Sequence, residues 1–507
     1  PGRSMSEPCD LSARAVLSGF ASKELSPVEV VRSCIDRINA LNPVVNAVVA
    51  LDEKKVLEDA RIAEQQIMSG DTRGLLHGLP VAIKDLQATE GLTTTYGTDF
   101  FRDHVPNRDD GIVARIRSAG GIILCKTNIP EMSIGANTIN RLFGATGNPY
   151  SPDLTCGGSS GGSAVAVATG MAPLATGSDH GGSLRIPASF CGVIGHRATP
   201  GVVPHEGRTI TQTNYSLQGP MARSVDDVAL LLAVIATRDN SSRFDPMSFP
   251  LDAHDFVALD HLDLSGLEIG VTADFGGLLV SEETRSEFRK RIDFLDDAGA
   301  RIRPIDIDLT SAVDADWHLR ADIFATQYHR DIDAFDDTFN PNVFRSYETA
   351  LNSTVLEIAK ARRQQVDLFR SFAAVFDDVD VVLCPGVSVQ PFPWSNLHPV
   401  EIDGRSVENY MAWLGLTSSL TVVGHPVTAI PGGADGNGLP FGLQCVGEMY
   451  KDRRLLSMSR TLDRAFRSAS NFRFEAPDLE RLLGLDPQCA ELGKVAAVRA
   501  AQEGLER

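Results

Sequence analysis

Residues Gly157 to Pro187 read GGSSGGSAVAVATGMAPLATGSDHGGSLRIP, and no other stretch constrains the fold as tightly. The opening turn, Gly157 to Gly162, is too rich in glycine for a helix. Ser163 to Ala168 behind it is small and apolar, which predicts a buried helix closed by Gly170. After Pro173, Leu174 to Gly177 predicts a short buried strand running into a second glycine turn, Asp179 to Ser183. A Gly-Gly pair just before a serine brings backbone N–H groups close to a bound group with no Cβ in the way. An oxyanion hole requires this. Ser183 is therefore the candidate nucleophile, and the N–H groups of His180, Gly181, Gly182 and Ser183 are the candidate oxyanion donors.

A serine hydroxyl is a weak nucleophile without a base. His180 lies three residues before Ser183 in a tight turn, poorly placed to reach its hydroxyl. Lys84 ends the apolar run Pro80-Val81-Ala82-Ile83, which predicts a buried strand, a place where lysines seldom sit. At its reference pKa of about 10.4 a lysine is only about 0.1% neutral at pH 7.5, so to serve as base it has to be depressed, by burial or a cationic neighbour, by roughly three units, or about 4 kcal/mol. Ser159 in the first turn is the spare hydroxyl that could pass a proton between Ser183 and Lys84.

With these residues in place, the segment resembles the amidase signature family, whose pattern is GGSSGGS, a small-residue helix, then G-T-D-x-G-G-S-[IL]-R-x-P. The resemblance implies that Ser183 forms the acyl-enzyme, that Ser159 is a relay residue after a cis peptide bond and that Lys84 is the base. Gly121 to Glu131, Gly219 to Val225 and Gly438 to Gln444 also look like family landmarks, in the expected order. The implied fold is α/β, a central mixed β-sheet covered on both faces by helices. The implied activity is hydrolysis of a carboxylic amide, extending to aryl esters and carbamates (urethanes). The alternative is an amidotransferase-type subunit that delivers ammonia from glutamine or asparagine to a partner. Three departures stand out: Ser178 where threonine is usual, His180 where a small or apolar residue is usual, and His196-Arg197-Ala198-Thr199 in place of Leu-Lys-Pro-Thr.

The match G-x-S-x-G at Ser159 also fits the elbow of α/β-hydrolases, but the preceding Asn148 to Asp153 reads as a turn where that elbow needs an apolar strand. Further along, Met132, Ile134, Asn137, Gly158 and Arg208 are candidate substrate contacts, Arg208 being expected to face water unless it meets a carboxylate. Asp179 and Arg185 are expected to hold the nucleophile turn rigid. Aromatic residues in the helical stretch 315–375 read as core, while the resemblance implies that this segment covers the acyl pocket; Pro391 to Asn396 is expected to act as a lid.

The net charge of −19 repels polyanions, and no basic stripe offsets it, so nucleic acid is not an expected partner. No run of about 18 apolar residues predicts a membrane span. Eight cysteines without C-x-x-C spacing predict free thiols in a reducing, cytoplasmic compartment, with Cys156 a buried structural residue. No cofactor and no metal site is expected, and the chain is expected to act as a monomer or homodimer. The expected layout is a cloning scar at 1–4, an N-terminal helical region at 5–70, a catalytic domain at 71–490 with a surface insertion near 237–265, and a C-terminal tail at 491–507. Within it, Ser26-Pro27-Val28-Glu29 predicts a capped helix, Thr421 to Pro431 a strand, and Asp435 to Gly438 a hairpin turn.

Overall fold

The computed structural model describes residues 7–330, 335, 338–473 and 475–505; the residues read as a cloning scar lie outside these. Strand-forming runs separated by helices assemble into an eleven-stranded sheet. Its spatial order is Val48–Ala50, Ile122–Thr127, Pro80–Lys84, Leu174–Asp179, Leu217–Ala222, Ile194–Arg197, Val427–Ala434, Pro440–Val446, Val381–Pro385, Glu268–Val271 and Arg301–Pro304. The sheet is mixed. Pro80–Lys84 runs parallel to both of its neighbours, whereas Leu174–Asp179 pairs antiparallel with Leu217–Ala222. Every residue of Pro80–Lys84, Ile122–Thr127, Leu174–Asp179 and Pro440–Val446 is buried. Successive side chains of a strand point to opposite faces, so both faces are covered.

The helix predicted after the first glycine turn spans Gly161–Ala168 and packs against Pro80–Lys84, Leu174–Asp179 and Leu217–Ala222. Small residues are what allow this approach: a Cβ on Gly162 would strike the backbone nitrogen of Asn128. The Ser26 capping box forms as predicted, Ser26 Oγ accepting from the Glu29 amide at 3.2 Å and Glu29 Oε2 from the Ser26 amide at 2.8 Å. It starts Pro27–Val45, whose buried Val30, Cys34, Ile38 and Leu41 join the main hydrophobic core.

Some local expectations need correction. Thr421 to Val423 are not strand but the end of a buried helix, Gly415–Val423; the strand begins at Val427. Tertiary burial on all sides overrides the β preference of Thr421, Val422 and Val423. The loop Pro391 to Asn396 is no lid. Asn137 Nδ2 donates to the carbonyls of Trp394 and Asn396, both at 2.8 Å, and Trp394 Nε1 donates to the Pro152 carbonyl at 2.8 Å, which pins the loop down. All eight cysteines are buried and unpaired. Among the described residues no helix is long and apolar enough to cross a membrane.

Candidate active site

Two neighbouring parallel strands deliver the candidate catalytic groups. Pro80–Lys84 ends in Lys84, and Leu174–Asp179 ends at the second glycine turn. The first glycine turn folds back beneath the second, with the Ser160 amide donating to the Ser183 carbonyl at 3.3 Å. Thus Lys84, Ser159 and Ser183, 99 residues apart at the extremes (183 − 84), come together in one place.

Lys84 is fully buried. Its Nζ lies 2.7 Å from Ser159 Oγ, 2.7 Å from Ser178 Oγ and 3.0 Å from Ser160 Oγ. No ion pair to Lys84 occurs among the described residues. Burial therefore drives its pKa well below the usual lysine range, against a smaller opposing pull from Asp179. The peptide bond between Gly158 and Ser159 is cis, as the family resemblance implies.

Lys84 Nζ donates to three hydroxyl oxygens, those of Ser159, Ser160 and Ser178. Ser160 Oγ donates to the Ser178 carbonyl at 3.2 Å, so its proton is used and its oxygen accepts from Lys84. Ser133 Oγ donates to Ser159 Oγ at 2.7 Å, so Ser159 Oγ accepts from both Ser133 and Lys84. Nothing in the sequence marks Ser160 or Ser178 as a partner of Lys84, or Ser133 as a partner of Ser159. Ser178 is the departure from threonine noted above, and the hydroxyl that both residues share is the part that touches Lys84.

Behind Ser183 lies a fully buried cluster. Arg185 Nε and Nη2 donate to the two oxygens of Asp179, each at 2.9 Å, and Arg197 Nη1 donates to the Asp179 carbonyl at 2.9 Å. Burial alone would raise the Asp179 pKa, but Arg185 and then Arg197 hold it well below the usual carboxylate range. The Asp179 carboxylate in turn accepts from the amides of Gly182 at 2.9 Å and Leu184 at 3.2 Å. This fixes the turn and corrects one expectation. The Gly182 N–H is spent on Asp179, which leaves the N–H groups of His180, Gly181 and Ser183 as the remaining candidate oxyanion donors.

Gly182 holds φ of 133°, a region that favours glycine. His180 is not a base for Ser183: its Nδ1 pairs with Ser216 Oγ at 2.8 Å. Burial, followed by Arg320 and Arg197, keeps its ring neutral by pushing its pKa well down.

A cavity of about 510 Å³ opens over Ser183. Met132, Ile134 and Gly158 line it as expected, as do Ser133, Ser159, Ser178, His180 and Gly181. Aromatic residues Tyr96, Phe101, Phe324, Tyr328 and Tyr410 form much of the remaining wall, Phe324 and Tyr328 from the helix Ala312–Tyr328 and Tyr410 from the turn shortly before Gly415–Val423.

Two expectations fail here. Asn137 is buried outside the cavity wall and spends its amide on loop carbonyls and its Oδ1 on Thr155 Oγ1, at 2.7 Å. Arg208 does not face water: its side chain is 3% exposed, borders the cavity and pairs with Asp245 at 3.0 Å. Cys156 is buried behind the first turn, its thiol pushed up to about 12 by burial.

Residues 29–456 match the family profile described as Amidase. This chain belongs to the amidase signature family. It is 31% identical to an acylamidase of Rhodococcus erythropolis over 473 residues, covering 92% of this chain and 96% of that protein. It is also 30% identical to a glutamyl-tRNA(Gln) amidotransferase subunit of Alkaliphilus metalliredigens, covering 90% of this chain and 96% of its relative. Among solved structures, a bacterial aryl acylamidase of the amidase signature family superposes with a TM-score of 0.83 at 27% identity, covering 94% of this chain and 99% of that one. The protein is an amide-hydrolysing enzyme. The cavity over Ser183 has the size of a small-molecule site.

Proposed function

We propose that this amidase hydrolyses neutral aryl or alkyl amides, together with aryl esters and carbamates, through an acyl-enzyme on Ser183. The observation that carries the proposal is a buried lysine held by hydroxyls and, among the described residues, by no carboxylate. In the first step Ser183 Oγ attacks the carbonyl carbon while its proton passes to Ser159, whose own proton passes to Lys84 Nζ. The carbonyl oxygen gains the negative charge under the N–H groups of His180, Gly181 and Ser183. Each such donor is typically worth roughly 10²- to 10³-fold in rate. The tetrahedral carbon then expels the amine, which takes a proton back from Lys84 through Ser159. Water attacks the ester with the same relay acting as base, and the acid leaves.

The aromatic wall supports an aryl group in the substrate, as do the likenesses to an acylamidase and an aryl acylamidase. A second reading, ammonia supply to a partner, is favoured by the likeness to amidotransferase subunits. One experiment separates the two: purified enzyme is given 4-nitroacetanilide, an aryl carbamate and glutamine in parallel. Release of 4-nitroaniline from the anilide and of the phenol from an O-aryl carbamate, without ammonia from glutamine, is expected. Glutamine hydrolysis with no turnover of either aryl substrate would replace the first reading with the second.

A further inference from the structure

The helix Ala312–Tyr328 turns one face to the cavity, placing Arg320, Ile323, Phe324 and Gln327 along its wall at positions i, i+3, i+4 and i+7. Ile323 and Phe324 need no polar partner. Arg320 does. Its Nε donates to Asp316 Oδ2 at 2.9 Å, one helical turn earlier, and its side chain is 15% exposed. Its Nη2 is buried with no partner and packs on Gly181, where a Cβ would collide with it. That contact supplies a reason for glycine at position 181 besides access to the oxyanion.

The guanidinium is also held from behind. Asp316 Oδ1 accepts from the Tyr215 hydroxyl at 2.6 Å, and the Tyr215 ring lies 4.8 Å from that of His180. Asp316 thus balances the charge of Arg320 without using up its five N–H donors. A buried donor left unmade costs folding free energy, and such groups in native structures call for an explanation.

In the mechanism proposed above, Ser159 returns the proton to the leaving amine, so the amine faces the serines around Lys84. Arg320 packs instead on Gly181, whose N–H faces the carbonyl oxygen, and so borders the acyl side. We infer that Arg320 determines acyl specificity by donating a hydrogen bond to a neutral acceptor oxygen, such as an ether, ester or keto oxygen, one to three bonds beyond the scissile carbonyl. A carboxylate there is disfavoured because Asp316 already neutralises the arginine. The other charged groups of the wall, Arg208 with its partner Asp245 and also Asp110, add no net positive charge.

This inference rests on the Ser183 acyl-enzyme, and its test separates the two. Butanoyl and methoxyacetyl 4-nitroanilides have acyl groups of equal length and differ by one ether oxygen. Their kcat/KM ratio is measured on wild type, Arg320→Leu and Arg320→Lys, so that intrinsic reactivity cancels between enzymes. The preference for methoxyacetyl is expected to fall on the order of ten-fold or more in Arg320→Leu and to recover in part in Arg320→Lys. A ratio unchanged in Arg320→Leu would overturn the assignment. Should Arg320→Leu not fold with Asp316 left unpaired, the double variant Asp316→Asn/Arg320→Leu removes both charges and gives the same reading. Failure of a fluorophosphonate to label Ser183 in wild type would sink the acyl-enzyme itself, independently of that ratio.

Discussion

Lys84 and Lys126 sit on adjacent parallel strands, paired one register apart, and both are fully buried. Their surroundings differ. Among the described residues Lys84 Nζ meets only serine hydroxyls, whereas Lys126 Nζ donates to the Gln87 carbonyl and to Thr89 Oγ1 and Thr94 Oγ1, the last two each at 3.0 Å, with the Asp85 carboxylate at 4.0 Å. Burial lowers both pKa values, but at Lys126 it is opposed by Asp85 and Asp110 and stops at about 8. At Lys84 the opposing group is Asp179, which Arg185 and Arg197 already claim. The two lysines differ in where the counter-charge sits: beside Lys126 it is free to oppose burial, whereas near Lys84 it is already paired with two arginines.

The comparison is open to attack at both lysines. The largest effect is expected at the first: Lys84→Met lowers kcat/KM on the order of 10⁴-fold, near the upper end for loss of general acid–base catalysis. In the wild type, activity rises with pH as Lys84 loses its proton and then reaches a plateau, because only the neutral amine accepts the Ser159 proton. Lys126→Met, by contrast, leaves the pH profile of kcat/KM in place. It costs stability of about 3–5 kcal/mol in denaturant unfolding, because Asp85 is left buried without its cation.

The sign of the linked pH effect follows from the lowered pKa. Between about 8 and 10.5 the unfolded chain holds a proton that folded Lys126 has released, so stability rises with pH across that window. Lys126→Met should abolish this contribution to the slope. A wild-type slope that Lys126→Met leaves untouched would break the contrast.

Smaller effects sharpen the account of Lys84. Ser178→Ala removes one acceptor from its Nζ and is expected to lower kcat about 10-fold, with Ser178→Thr retaining most activity. Ser133→Ala removes the donor that orients Ser159 and should cost roughly 3- to 10-fold in kcat with little change in KM.

Much of this site was legible because its parts are local. The two glycine turns, the intervening helix and the strand ending in Lys84 each announce themselves within a few residues, and the alternation of strands with helices points to a covered mixed sheet. What escaped notice depends on long-range meetings. Ser178 meets Lys84 across 94 residues, and Arg320 meets Gly181 across 139 (320 − 181), with nothing in either neighbourhood to mark the partner. Asn137 misled for a related reason: a buried amide that ties loop carbonyls together reads the same in sequence as one awaiting a substrate. Arg208 looked like a surface arginine because its partner, Asp245, lies 37 residues on, in a stretch without clear periodicity.

The most direct test of the central claim is the rate at which a fluorophosphonate inactivates the enzyme as a function of pH, with the labelled peptide mapped by mass spectrometry. Wild type, Lys84→Met and Lys126→Met are compared. Label on Ser183, with a rate that climbs to a plateau with pH in wild type and Lys126→Met and falls by orders of magnitude in Lys84→Met, is the predicted result. Label on Ser159, or labelling of Ser183 that ignores the loss of Lys84, would contradict it.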